Sequence, residues 1–224
     1  MVITVQRSIT FPPIRLRRID EYVAYVAKHT PTLDELREVG LEIGRGRGDI
    51  TRFLERIKVV EVSNGRAALT ALGRQLVSLR EILGVAVYHA LFFQRVPQYR
   101  LLVEVLADLN EGDFDGLHKA VNDRLSGISP SAWLNKVAFK TILQIAEDVG
   151  AVERDNGVYR RRGDPVEVAV VDYHTRHGVK IGESYYVSAD RAIYRECGRQ
   201  MQPHGLYGVD VACVVAKIYN TFSP

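Results

Sequence analysis

Cysteine is scarce in this chain: 224 residues contain two, Cys197 and Cys213, and neither belongs to a CxxC pair. That excludes a disulfide framework and a standard zinc knuckle, and it leaves both thiols to be read as small core residues. Tryptophan occurs once, at Trp133, which is expected to be a buried anchor or, if exposed, a contact residue. Long apolar runs are also missing. The longest, Val85 to Phe93, is interrupted by His89 and too short to cross a bilayer. The opening MVITVQRSITFPP has neither the basic start nor the apolar centre of a secretory leader, so a soluble cytoplasmic protein away from membranes is expected. No GxxxxGK and no GxSxG occurs, which removes the phosphate loop and the serine nucleophile elbow. Charge of one sign is lacking too. The formal net charge is +3, and the 46% hydrophobic and 25% charged content is that of an ordinary globular chain.

What is present is a repeat. In RGDITRFLERIKVVEVSNGRAALTALGRQL, from Arg47 to Leu76, the residues Ile50, Phe53, Leu54 and Ile57 share one helical face. Val59 to Val62 reads as a strand. Asn64-Gly65 then supplies the pair that a two-residue hairpin turn requires, because both positions favour positive φ. The pattern returns with Ile142, Ile145, Ala146 and Val149 leading into AVERDNGVYRRR. Asn156-Gly157 stands 92 residues after Asn64-Gly65, and a Glu precedes each turn Asn by three (Glu61 and Glu153). Helix, hairpin and helix in this order, closed by an LTxLGxxL run, resemble the recognition helix and wing of the winged helix-turn-helix superfamily, here in two tandem copies. The resemblance implies a mainly α chain with small β wings, of α+β class, in which each recognition helix enters a major groove of duplex DNA.

The excess charge sits where that reading needs it. From Arg15 to Arg80 there are 13 basic and 9 acidic residues. From Glu81 to Ile128 there are 4 and 7, and from Ser129 to Gly163 there are 6 and 4. Arg outnumbers Lys 23 to 7, which suits bidentate contacts to phosphate. Off the apolar stripe of the first copy lie Arg45, Arg47, Thr51, Arg52 and Arg56, with Arg66 at the wing tip. Off the stripe of the second lie Asn135, Lys136, Lys140 and Gln144, with Arg160 and Arg161 trailing the wing. These are the expected DNA contacts. Arg and Lys bind phosphate and guanine, and Asn and Gln read adenine. The bland alternative is that they are solvated helix faces. Winged helices also serve as protein-interaction scaffolds, and the modest charge fits that alternative.

Boundaries follow from the patterning: an N-terminal strand or arm over 1–13, a first winged-helix domain over 14–75, a connecting helix over 76–96, a second winged-helix domain over 97–163, and a small α+β segment over 164–224. Thr32 with Glu35 has capping-box spacing, Asp49 is a candidate cap for the recognition helix, and Asp113 caps FDGLHKAVNDRL. The second recognition helix is expected to begin at Pro130, a favoured first-turn proline. Leu72 to Arg95 reads as one long helix with Gly84 as its weak point. The helix is apolar nearly all round from Leu83 to Phe93, which predicts burial between the domains or in a homodimer through Leu76–Phe93. In the tail, alternating Val166, Val168 and Val170 predict a strand, and Val179 to Val187 a second. VDVACVV fits a helix or a buried strand.

Chemistry has weak candidates. His174, His177 and His204 with Asp172 and the cysteines match no zinc-site spacing. HTRHG superficially resembles the His/Arg box of tyrosine recombinases, but the companion boxes are not visible. Asp164, Glu167 and Asp172 lack the Lys that a restriction-type nuclease places two residues after its carboxylate. The sequence therefore predicts no enzyme, metal or cofactor.

Overall fold

The computed structural model describes residues 7–9, 11–42, 48–188, 192–201 and 206–224. The chain is an α+β protein: helices form most of it and the sheets are small. After a short strand β1 (Arg7–Ile9) come α1 (Leu16–His29), α2 (Leu33–Glu38), α3 (Asp49–Arg56) and the hairpin of β2 (Val60–Ser63) and β3 (Arg66–Leu69). Leu16, Ile19, Tyr22, Val23 and Val26 bury one stripe of α1, which Thr30 ends in the left-handed region. Thr32 and Glu35 form the anticipated capping box at the start of α2. Thr32→Ala is expected to cost about 1 kcal/mol, read as a lower urea midpoint with an unchanged m-value.

Asn64 and Gly65 both take positive φ, and Ser63 faces Arg66 across the tight turn. A third backbone segment joins this hairpin, since Thr32 bridges Arg66. Next comes α4 (Ala71–Leu83), capped by Thr70. The glycine of LTALG is required there, because a Cβ on Gly73 would lie 2.2 Å from the Val59 carbonyl oxygen. The long helix predicted to Arg95 breaks at Gly84, where φ is +55°. A short 3₁₀ turn leads into α5 (Val87–Arg95).

The second unit repeats the order. It comprises α6 (Pro97–Leu109), β4 (Glu111–Asp113), α7 (Phe114–Ile128), β5 (Ala132–Leu134), α8 (Lys136–Asp148), β6 (Val152–Asp155) and β7 (Val158–Arg161). Asp113 caps α7 as expected, and β6 and β7 turn at Asn156-Gly157, again with both φ positive. Here the strand before the second helix is a full member of the sheet, in order β4-β7-β6. Pro130 does not open α8. Residues 132–134 are a strand, and Asn135 caps the helix instead, accepting from the Ala138 N–H. Trp133, on that strand, is 39% exposed and anchors no core.

The tail departs most from expectation. Val166, Val168 and Val170 lie on a helix, α9 (Pro165–His177). The single strand expected over 179–187 is a hairpin of β8 (Val179–Ile181) and β9 (Ser184–Ser188). After α10 (Ala192–Cys197) come β10 (Gly198–Met201), β11 (Leu206–Val209) and a helix, α11 (Val211–Thr221). The sheet order is β10-β11-β9-β8. Cys197 and Cys213, whose bridging the sequence leaves open, are joined by a disulfide. Ring closure over 16 residues removes denatured-chain entropy from this segment.

One apolar core runs through both units and the tail. From Val87 to Phe92 every residue is buried within the single chain. The surface that suggested a homodimer through this helix is therefore already covered. Ala71–Arg95 is long and apolar enough to cross a membrane by length and composition, but more than half of its most apolar window lies inside the fold.

Candidate nucleic-acid interface

The first predicted contact helix, α3, is held from beneath by a buried carboxylate. Glu42 accepts the Ile50 N–H at 3.1 Å and the Thr51 N–H at 2.8 Å, and the Thr51 hydroxyl donates to it at 2.5 Å. Tyr22 OH lies 2.7 Å from the same hydroxyl. A carboxylate at a helix N-terminus satisfies orphan N–H groups and complements the helix dipole. Asp49, the cap expected from sequence, is simply the first helical residue, after Gly48 at φ +74°. A Cβ on Gly48 would fall within 2.4 Å of the Glu42 side chain, so this approach needs glycine. Thr51 is consequently buried, and its assignment as a DNA contact is corrected: it serves the cap.

With Ile50, Phe53 and Leu54 inward, Arg52 and Arg56 project outward together. The Arg56 guanidinium lies over the Phe53 ring, 5.6 Å from its centroid.

The second contact helix, α8, is positioned by strand β5. Leu134 on β5 is gripped from α7, its N–H donating to Asn122 Oδ1 at 2.7 Å and its carbonyl lying 2.7 Å from His118 Nε2. On its other side β5 pairs in parallel with β1, in register Arg7–Ala132 to Ile9–Leu134. The chain leaving β1 is thereby laid between the two helices. Phe11 meets Phe53 edge-on at 4.9 Å, and Pro12 and Pro13 floor the space.

The result is an open cleft of about 580 Å³ between α3 and the N-terminal turn of α8, bordered by Arg52, Arg56, Asn135, Lys136, Val137 and Asp49. A smaller hollow of about 210 Å³ continues it across Pro13 and Val137 to Arg15, Lys140 and Gln144. Six of the residues predicted as contacts, from two helices far apart in sequence, therefore line one surface. Asn135 does so as a helix cap with its side-chain oxygen engaged, so base reading by that oxygen is corrected to a structural role. Lys136 is paired with Asp115 at 2.6 Å, and that hydrogen bond lowers the Asp115 pKa. Arg15, Arg56 and Lys140 have no carboxylate within ion-pair distance among the described residues.

The residues expected on the wings do not join this surface. Arg66 is exposed and donates to the Thr30 carbonyl at 3.1 Å. Arg160 spans its sheet, pairing with Glu111 at 2.7 Å and Asp155 at 3.8 Å, so it is committed to cross-strand neighbours. Arg161 borders a different cavity. Arg45 and Arg47 lie outside the described residues, as does His204. His174 is buried with Nδ1 2.6 Å from the Val170 carbonyl, and His177 is exposed beside Tyr173. Among the described residues no three His, Cys, Asp or Glu side chains gather as a metal site would require.

Sequence reasoning missed Arg15 and the Phe11–Pro13 arm as parts of this surface. The signal was the β-branched run before Pro12, which marks a strand but not its partner. Compared with known proteins, the chain matches no family model and no curated sequence.

Proposed function

We propose that this protein binds duplex DNA as a transcriptional regulator, without catalysis, through two tandem winged-helix units that present α3 and α8 to one stretch of duplex. The observation that carries the reading is the convergence of Arg52, Arg56, Lys136 and Lys140, with Arg15, along one continuous surface. Cations from helix surfaces and cap regions are what a phosphate backbone requires, and their number sets the salt dependence of binding. In each unit the last hairpin strand pairs with the segment just before the second helix, by the single Thr32–Arg66 bridge in the first unit and by strand β4 on β7 in the second, which supports the winged-helix assignment.

The test is titration of duplex DNA at several salt concentrations with wild type, Arg52→Ala, Arg56→Ala and Lys140→Ala. Loss of a phosphate contact should weaken binding to all sequences and lower the salt slope by about one. Loss of a base contact should cost about 1–3 kcal/mol and relax specificity. Arg160→Ala, whose side chain is engaged within its own sheet, is the control and should bind as wild type. Wild type failing to bind at low ionic strength, or all three cleft variants binding unchanged, sinks the reading. An interaction scaffold would then replace it, a role favoured by one observation: Val137, at the centre of the surface, is 65% exposed.

A further inference from the structure

The two contact helices do not carry the same chemistry. At the 92-residue spacing of the repeat, Arg52 and Arg56 of α3 correspond to Gln144 and Asp148 of α8. From Lys136 to Asp148, α8 contains no arginine, so the side chain that most often grips guanine is missing from it. Its outward strip is Val137, Lys140, Thr141 and Gln144, which share one helical face. We infer that α8 reads a short run of A·T pairs in the major groove, with its methyl groups against thymine and its amide against adenine. This inference rests on the DNA-binding reading and goes further only in assigning the bases.

The four side chains line one hollow of about 210 Å³ with Pro13 and Arg15, and among the described residues no carboxylate lines it. Val137 is 65% exposed, and beside Lys140 and Gln144 an apolar group has a use on DNA. The Thr141 hydroxyl donates to the Val137 carbonyl at 3.1 Å, which leaves the γ-methyl as the group Thr141 can offer. Two methyl-bearing side chains one turn apart match the 5-methyl group that thymine alone presents in the major groove. Gln144 makes no hydrogen bond among the described residues. Its amide carbonyl and N–H groups are therefore open to the N6 amino group and N7 of adenine. Val137 and Gln144 are two turns apart, about 10 Å along the axis at about 1.5 Å per residue. That length covers about three base steps of about 3.4 Å each.

The charges beside the strip suit a flanking backbone. Lys140 has no carboxylate within ion-pair distance among the described residues, whereas Lys136 is held by Asp115. A lysine ammonium is a point charge on a flexible stem, which fits a phosphate better than a base edge. Glu147 and Asp148, the acids of the last turn, do not line the hollow. Burial raises the Asp148 pKa and the Arg15 charge opposes that rise, so Arg15 is partly matched there.

The experiment selects duplexes from a random-sequence pool with the full chain at low salt, then measures the enriched duplex with deoxyuridine in place of thymine. Enrichment of about three consecutive A·T pairs is expected. Removing a contacted thymine methyl should weaken wild type by roughly fourfold and leave the salt slope unchanged, since no phosphate is altered. Val137→Ala, at an exposed position, should bind thymine and deoxyuridine alike at the one position it contacts. Placing 7-deazaadenine, which lacks N7, in the site should weaken wild type and leave Gln144→Ala unaffected. Salt-dependent binding by wild type with enrichment of G·C pairs, or of no pairs, overturns this inference and leaves the DNA-binding reading standing. Equal wild-type affinity for thymine and deoxyuridine duplexes overturns it in the same way. So does a Val137→Ala or Gln144→Ala variant that discriminates its base analogue as wild type does. Wild type that binds no duplex removes both readings together.

Discussion

Phe92→Ala is expected to destabilise the protein by about 3–5 kcal/mol, the cost of deleting a fully buried aromatic ring whose site cannot collapse. The ring is 1% exposed and sits where three parts of the molecule meet. It lies 5.9 Å from Phe53 of α3, 5.8 Å from Tyr88 of α5 and 5.9 Å from Tyr99 of α6. Removing it takes a neighbour from both repeat units and from the helix between them. Denaturant titration followed by circular dichroism should therefore show one transition at a lower midpoint. Two separated transitions, one of them at the wild-type midpoint, would mean that the units are energetically independent. The shared aromatic cluster argues against that outcome.

The second large effect is acid sensitivity. Burial lowers the His89 pKa from 6.5 to about 4, with the Asp164 charge opposing the shift. The native state therefore keeps this ring neutral while the unfolded chain protonates it near pH 6.5. The unfolded state binds more protons between those values, so the stability contribution is fully present above pH 6.5 and is lost as pH falls toward 4. Its full size is about 3 kcal/mol. His174 is lowered by burial as well and adds in the same direction. Glu147 and Asp148, raised by burial, act oppositely and only at the acidic end of the window. Urea unfolding at pH 7.5, 6.5, 5.5 and 4.5 should trace the decline. His89→Gln, which keeps an amide beside Tyr99 OH but does not titrate, should flatten it. A variant whose stability falls as steeply as that of wild type would show that His89 is not the group responsible.

How far the sequence could be read depended on whether the deciding interaction was local. Thr32, Asp113 and the two Asn-Gly turns announce themselves because a cap or a type I′ turn is settled within four residues. The valines of α9 misled because Val166, Val168 and Val170 satisfy a period of two. The helix buries Val166, Val170 and His174, spaced by four, and leaves Val168 62% exposed. Asp164 as cap and Pro165 in the first turn were the helix-start signals that should have outweighed the alternation. Pro130 misled for the opposite reason: a proline fitting a first turn sits five residues before the real cap. At the candidate interface, Arg52 and Arg56 were readable from helical spacing alone. The joining of α3 to α8 was not, since it rests on β1 pairing with β5 across more than a hundred residues. The Glu42 cap was hidden likewise, because the carboxylate stands eight positions before the first N–H it serves, with the glycine-rich part of the sequence in between.

That parallel pairing of β1 with β5 also constrains the order of assembly. Arg7–Ile9 leaves the ribosome long before Ala132–Leu134, so the arm must wait unpaired while the whole first unit is made. A contact of such sequence separation carries a large loop-closure cost and forms late. The surface between α3 and α8 is consequently completed after both helices exist. An excised fragment covering residues 97–163 alone would leave the β5 strand edge without its partner. The repeat visible in the sequence is thus a unit of pattern, and the unit of folding is the longer chain that closes the strand pair.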